Sequence, residues 1–239
     1  MRQLTFAVIF SAAIAAPLVA APAKPAAVRT AARDWSAMVS ATPQGGILLG
    51  NPAARVKLVE FGSLSCSHCR DFHGQAMPVL KAKYLKSGRL SYEFRSFVRN
   101  GADLGASLVL QCQTPRAAWA MADRFFAGQD QWLLPFTKLT AEDTAKINGA
   151  SEDEKALKMA ALGKLPEHVA TLGVPRARYD ACVADKPATQ RLLAIRNDAI
   201  TNWGLEGTPT FVLAGKTVPN IFTWSELEPR IVAALAARP

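Results

Sequence analysis

The apolar positions of this chain change spacing twice along its length. Between residues 46 and 99 they gather into runs of strand length. Ile47-Leu48-Leu49 is closed by the turn signal Gly50-Asn51-Pro52, and Val56-Lys57-Leu58-Val59-Glu60-Phe61 is rich in β-branched residues. These two runs are expected to pair as neighbours in a sheet. Past a loop over Gly62 to Ser65, Phe72, Ala76, Val79, Leu80 and Tyr84 recur at helical spacing and predict a helix over residues 66–85, ending at Ser87-Gly88. Pro78 should kink it, because proline removes a backbone donor and crowds the preceding turn. Leu90 to Val98 then sets Leu90, Tyr92, Phe94 and Ser96 against Ser91, Glu93, Arg95 and Phe97, the period of a strand.

From Asn100 to about Asn202 no β-branched run occurs. Ala and Leu abound, and helix-start signals stand at Thr114-Pro115, Ser151-Glu152-Asp153-Glu154, Val174-Pro175 and Lys186-Pro187, which predicts a block of five or six helices. Strand spacing returns in Thr210-Phe211-Val212-Leu213 and, after a turn over Ala214-Gly215-Lys216, in Thr217-Val218. A last helix is expected from about Trp224 to Ala236. The class is therefore α/β. Residues 24–45, rich in Ala and Pro, read as an N-terminal arm with a short helix from Arg29 to Val39.

The extreme N-terminus is different again. Met1-Arg2-Gln3 is a short positive segment, and the apolar run from Leu4 to Ala21 is broken only by Thr5, Ser11 and Pro17, the pattern of a cleavable signal peptide over residues 1–23. No later apolar stretch is long enough to span a bilayer. The mature protein is thus expected in the periplasm or cell envelope, where disulfides persist. With 239 residues, half of them hydrophobic and a fifth charged, the composition excludes a disordered, collagen-like or heptad-dominated protein. The net charge of +9 would admit a nucleic-acid binder, but no such motif accompanies it, and the excess is local. Residues 24–99 hold 12 Lys or Arg against 4 Asp or Glu, whereas residues 100–200 hold 12 of each. The basic half is expected to favour thiolates and acidic substrates modestly.

That half carries Cys66-Ser67-His68-Cys69, directly after a strand and at the first turn of a helix. This spacing lets two sulfurs close a small ring, and a helix N-terminus stabilises a thiolate on the first. Cys66 is expected as the outward, attacking sulfur and Cys69 as its inward partner, with His68 and Arg70 adding positive charge that makes Cys66 more acidic. An acidic thiol stabilises the reduced form and makes the disulfide a stronger oxidant. The alternative is zinc held by Cys66, Cys69 and His73, for which no fourth ligand is visible, so no metal and no cofactor are expected. Cys112 and Cys182 lie 70 positions apart in the helical block, without C-x-x-C partners. They read as a structural disulfide joining two helices; a regulatory or electron-passing pair is the other reading.

Val59-Glu60-Phe61-Gly62-Ser63-Leu64-Ser65-Cys66-Ser67-His68-Cys69, together with Gly207-Thr208-Pro209-Thr210-Phe211, resembles the DsbA-type thiol:disulfide oxidoreductases of the thioredoxin superfamily. The likeness covers essentially residues 45 to 237. It implies a thioredoxin-like fold with an inserted all-helical subdomain: core at 46–99 and 203–239, insertion at 100–202. It also implies a cis peptide bond before Pro209, a loop at Thr208 and Pro209 that pairs with a bound substrate strand, and Glu60 as a buried acid moving protons to and from Cys69. Ser67 departs from the pattern, since the strongest oxidases of this type often have proline there, and this leaves the redox potential open.

The activity implied is oxidation of dithiols in reduced exported polypeptides, with a DsbB-type membrane quinone reductase as electron acceptor. A disulfide reductase or isomerase, and a non-catalytic thioredoxin-like module binding a metal or a partner, are the alternatives. Mass spectrometry of the mature protein is expected to find the N-terminus at Lys24, or at Ala21 if cleavage follows Ala20; a chain still beginning at Met1 would overturn the export assignment.

Overall fold

The computed structural model describes residues 33–237. The expected signal peptide, and residues 29–32 of the expected short helix, lie outside the described residues. Six strands form one sheet in the order β1-β2-β4-β3-β5-β6: β1 (Val39–Ala41), β2 (Ile47–Gly50), β3 (Val56–Gly62), β4 (Leu90–Ser96), β5 (Thr210–Leu213) and β6 (Lys216–Val218). Only the β3–β4 pair is parallel. Parallel neighbours need a crossover, and α1 (Ser67–Val79) supplies it. Winding continues beyond α1 as a π-helical segment, Leu80–Leu85, which starts two residues after Pro78. The missing proline donor thus shows as a change of winding, with the Leu80 N–H reaching both Ala76 O and Met77 O.

Several sequence expectations fail here. β2 and β3 are not neighbours, because β4 lies between them, with Gly50 opposite Ser91 and Val56 opposite Leu90. The turn at Gly50-Asn51-Pro52 marks a reversal but not adjacency: residues 51–55 can span roughly 17 Å when extended, and one intervening strand asks for about 10 Å. Residues 33–39 are not helical; the arm instead enters the sheet as the edge strand β1. The alternation in β4 is also blunted. Ser91 and Glu93 are buried with the rest, because this interior strand is covered on both sides, and Glu93 is satisfied by Arg95 Nε at 2.7 Å and the Thr42 hydroxyl at 2.7 Å.

The sheet separates two cores. Leu58, Tyr92, Phe94 and Phe211 face α1, α3 (Pro115–Ala127) and α10 (Trp224–Ala236), where Phe72 packs at a tilt against Phe211 with centroids 4.5 Å apart. Phe61 and Val212 face the other way, onto Leu108 of α2 (Gly101–Gln111) and Leu192, Ile195 and Ala199 of α9 (Lys186–Trp203). Between α3 and α9 run α4 (Gln129–Leu133), a 3-10 turn, α5 (Ala141–Asn148), α6 (Glu152–Leu162), α7 (Leu165–Thr171) and α8 (Arg176–Val183). The stretch after β4 therefore holds eight α-helices where five or six were expected, because four of them are only five to eight residues long. Among the described residues no helix is long and apolar enough to cross a membrane.

Cys112, at the C-terminal cap of α2, is bonded to Cys182 of α8, with Cα atoms 5.6 Å apart. This bond closes a loop of 70 residues that includes α3 to α7. Replacing both cysteines with serine is expected to lower unfolding stability by about 3 to 5 kcal/mol on chain-entropy grounds. The equilibrium of the Cys66–Cys69 pair with glutathione should stay unchanged; a large shift in it would favour the regulatory reading.

Candidate active site

Strand β3 leaves the sheet at Gly62, and four residues later the chain opens α1 with Cys66 as its cap. Cys66 is extended (φ −94°, ψ 122°) and its N–H donates to Ser63 O at 3.1 Å. The first turn of α1 leaves its N–H groups without intrahelical partners, so the positive end of the helix faces the Cys66 sulfur. Cys69, one turn on, is fully buried, and its sulfur accepts the Ser63 N–H at 3.5 Å. Both thiols are free. The outward position expected for Cys66 is only partly met: it is 3% exposed, closed over by Thr208, whose carbonyl accepts from its thiol at 3.2 Å.

The two sulfurs are held apart in acidity. Cys66 is brought down to about 5, first by the Cys69 thiol as a hydrogen-bond donor, then by the Thr208 hydroxyl, the Cys69 N–H and the charge of Arg99, with burial opposing them. Thr208 serves both forms. Its carbonyl accepts from the neutral thiol, which alone would favour that form, and its otherwise unpartnered hydroxyl is available to the thiolate. Cys69 is pushed well up by burial, by the bond to Cys66 and by the charges of Glu60 and Cys66. The cation at work is therefore Arg99, which the sequence reading did not single out. Arg70 is engaged by Asp71 at 2.9 Å and Asp130 at 2.7 Å, and His68 is exposed, its ring 6.1 Å from that of Phe222.

Glu60, in the middle of β3, points to the α1 side of the sheet and is 1% exposed. Burial raises it to about 8, against the bond it accepts from the Tyr92 hydroxyl at 2.6 Å. Tyr92 was missed as a site residue. The signal was a phenol on the apolar side of an alternating strand, since a buried tyrosine hydroxyl needs a partner. Facing Cys66, the Thr208–Pro209 bond is cis and both residues are buried; β5 starts directly after them and pairs antiparallel with β3. Beside this loop lies a groove of about 260 Å³ lined by Glu206, Gly207, Pro209, Asn220 and Phe222 among others, the last 45% exposed.

His73, the third ligand of the zinc alternative, is committed elsewhere. Its Nε2 lies 2.6 Å from Asp123 Oδ1, and its ring packs between Trp119 and Phe126. Among the described residues no three His, Cys, Asp or Glu side chains gather as a metal site.

A thioredoxin family model matches residues 42–232, which takes in strands β2 to β6, the dithiol and the cis-proline loop. The chain belongs to the thioredoxin family. Among solved structures, that of a protein-disulfide isomerase from Novosphingobium aromaticivorans superposes with a TM-score of 0.75 at 29% identity, over 80% of this chain and 97% of that one. Wolbachia pipientis alpha-DsbA1 gives 0.61 at 20% identity over 84% and 95%, a likeness of fold. A curated relative from Rickettsia bellii, named "Putative protein-disulfide oxidoreductase", is 26% identical over 74% of this chain and 60% of its own length. The chain thus spans less than two thirds of that relative. The thioredoxin-like sheet accounts for the meeting of residues distant in sequence: β3 ends at the dithiol and neighbouring β5 begins at the proline loop.

A carboxyl raised from 4.5 to about 8 keeps, in the folded protein, a proton that the unfolded chain releases. Its contribution to stability therefore falls as pH rises through that window. The Glu60→Gln variant is expected to gain on the wild type in urea midpoint between pH 4.5 and 8, and a pH-independent difference would contradict the assignment. Tyr92→Phe removes the bond that favours the ionised carboxylate, so carboxyl NMR should find Glu60 titrating higher still.

Proposed function

We propose that this protein is a thiol:disulfide oxidoreductase of the DsbA type, and that it works as a dithiol oxidase on reduced polypeptides exported to the cell envelope. The observation that carries this reading is the split acidity of the pair, Cys66 near 5 and Cys69 far above its ordinary value. At neutral pH the reduced pair then holds one stable thiolate. Stabilising the reduced form makes the corresponding disulfide an oxidant.

In the oxidised enzyme a substrate thiolate attacks Cys66 Sγ; the Cys66–Cys69 bond breaks and its electron pair stays on Cys69. Glu60, protonated at neutral pH, supplies the proton that Cys69 takes up. The substrate's second thiolate then attacks the substrate sulfur of the mixed disulfide and expels Cys66 as a thiolate. Two electrons have passed to the enzyme and the substrate has gained a disulfide. Thr208 and Pro209 are the backbone against which the substrate strand lies, and His68 stands on the rim with Phe222. A DsbB-type membrane quinone reductase restores the disulfide, and the leader over residues 1–23 directs export. The helices after β4 act as a subdomain inserted at 100–202 into the thioredoxin-like core, and the Cys112–Cys182 bond serves that subdomain's stability.

The name of the Novosphingobium relative, a protein-disulfide isomerase, favours a second reading in which the same chemistry rearranges disulfides. Equilibration with glutathione separates the two. An oxidase is expected near −120 mV, the isomerase reading would fit about −180 mV, and a value near −270 mV would overturn the oxidase direction. Cys66→Ser is expected to abolish exchange, and residual exchange in that variant would overturn the assignment of the attacking sulfur.

A further inference from the structure

The loop that carries Cys66 is held by side chains from helices far along the chain. Leu64 is completely buried, so both its backbone polar groups need partners. Its N–H donates to Asp103 Oδ1 of α2 at 3.0 Å, and its carbonyl accepts from Gln129 Nε2 of α4 at 2.8 Å. The same Gln129 nitrogen donates to the Cys66 carbonyl at 2.9 Å. The second Asp103 oxygen accepts the Arg99 N–H at 3.0 Å, and the Asp103 N–H is capped by Asn100 Oδ1 at 2.9 Å. Asp103 is 0% and Gln129 2% exposed, so these bonds are sheltered from competing water. The two side chains are complementary in kind: an acceptor takes the amide, and a donor with two hydrogens on one nitrogen takes the two carbonyls.

We propose that Asp103 and Gln129 are positioning residues for the attacking thiol: together they fix the Leu64 and Cys66 peptides so that the Cys66 sulfur stays among its donors, which makes the helical block a determinant of its acidity. This rests on the reading of Cys66 as the acidic, attacking sulfur. The sulfur has the Cys69 thiol and N–H and the Thr208 hydroxyl within reach in one backbone conformation, the extended cap of α1. A loop released from its clamp samples others, in which the thiolate loses those donors and the thiol drifts back toward its ordinary value. Burial lifts Asp103 to about 6, opposed by the bonds from Ser63, Arg99 and Leu64, so at neutral pH both its oxygens accept.

The test is the ultraviolet thiolate absorbance of the reduced full-length protein against pH, for the wild type, Gln129→Met and Asp103→Asn, with thermal unfolding of each. Cys112→Ser/Cys182→Ser serves as a destabilised control that leaves the loop untouched. The clamp variants are expected to move the Cys66 midpoint upward by about half a pH unit or more and to weaken oxidation of glutathione by about threefold or more, since one unit corresponds to a factor of ten. The control should lose thermal stability with its midpoint in place. Variants that fold with a lower melting temperature but the wild-type midpoint would show mere structural support and overturn the proposal. A wild-type midpoint near an ordinary thiol's, about 8.5, would overturn instead the acidic reading of Cys66 on which the clamp rests. Should Asp103→Asn fail to fold, Gln129→Met, which keeps length and volume, decides alone.

Discussion

Two adjacent parallel strands cannot be joined by a tight turn, and in this protein the pair β3–β4 forces the chain to climb from the end of β3, run back over the sheet as α1 and re-enter beside its starting point. The climb puts the N-terminal end of a helix directly at the edge where β3 stops. It also places the first turn of α1 on the sheet face that carries Glu60 and Tyr92. Everything chemically particular about the site follows from that crossing. A sulfur at the cap meets the positive end of the helix and the proline loop that leads into β5; a sulfur one turn later is driven into the core above a carboxyl.

The crossing also explains why the two sulfurs differ so much while sitting three residues apart. Desolvation acts on both, but it meets hydrogen-bond donors at Cys66, whereas at Cys69 it is joined by the bond given to the Cys66 sulfur and by that thiolate's charge. The donors win at one site, and burial and like charge reinforce each other at the other. Glu60 is subject to the same rule: one bond from Tyr92 is too little to offset complete burial, so it keeps its proton at neutral pH. The reduced site therefore tolerates a single negative charge, on Cys66, and stores protons beneath it.

How much of this could be read from the sequence depended on how local each feature is. The dithiol was legible because Cys66, Cys69, the preceding strand and the following helix lie within a few residues of one another. Glu60 and the Thr208–Pro209 loop became legible only through family resemblance, since nothing in the chain says that residues 60, 66 and 208 meet. The β2–β4–β3 order was not legible, because pattern and turn signals specify elements and reversals but not which strand slips between two others. β1 was hidden by its length, three residues ending in Ala41, and several short helices lack the turns over which an apolar stripe can repeat. Tyr92 left a usable trace in the alternation of β4. Asp103 and Gln129 left none: a buried carboxylate and a buried amide look like surface residues until the loop they hold is in view.

That last pair bears on what an insertion between β4 and β5 accomplishes. The thioredoxin-like sheet supplies the crossing, the acid and the proline loop, yet the backbone of residues 64–66 finds three of its hydrogen bonds in the helices that follow β4. The first of those helices begins five residues after the last residue of β4, and Arg99 and Asn100 in the connection are themselves tied to Asp103. The same connection brings Arg99 to within electrostatic reach of Cys66. A helical block attached at that point is tied to the loop that carries Cys66, because Asp103 near its start and Gln129 of α4 complete the loop's hydrogen bonding. On the clamp proposed above, the block acts on the dithiol through Asp103 and Gln129 in particular, which offers a way to adjust the acidity of the Cys66 thiol without altering the four residues from Cys66 to Cys69.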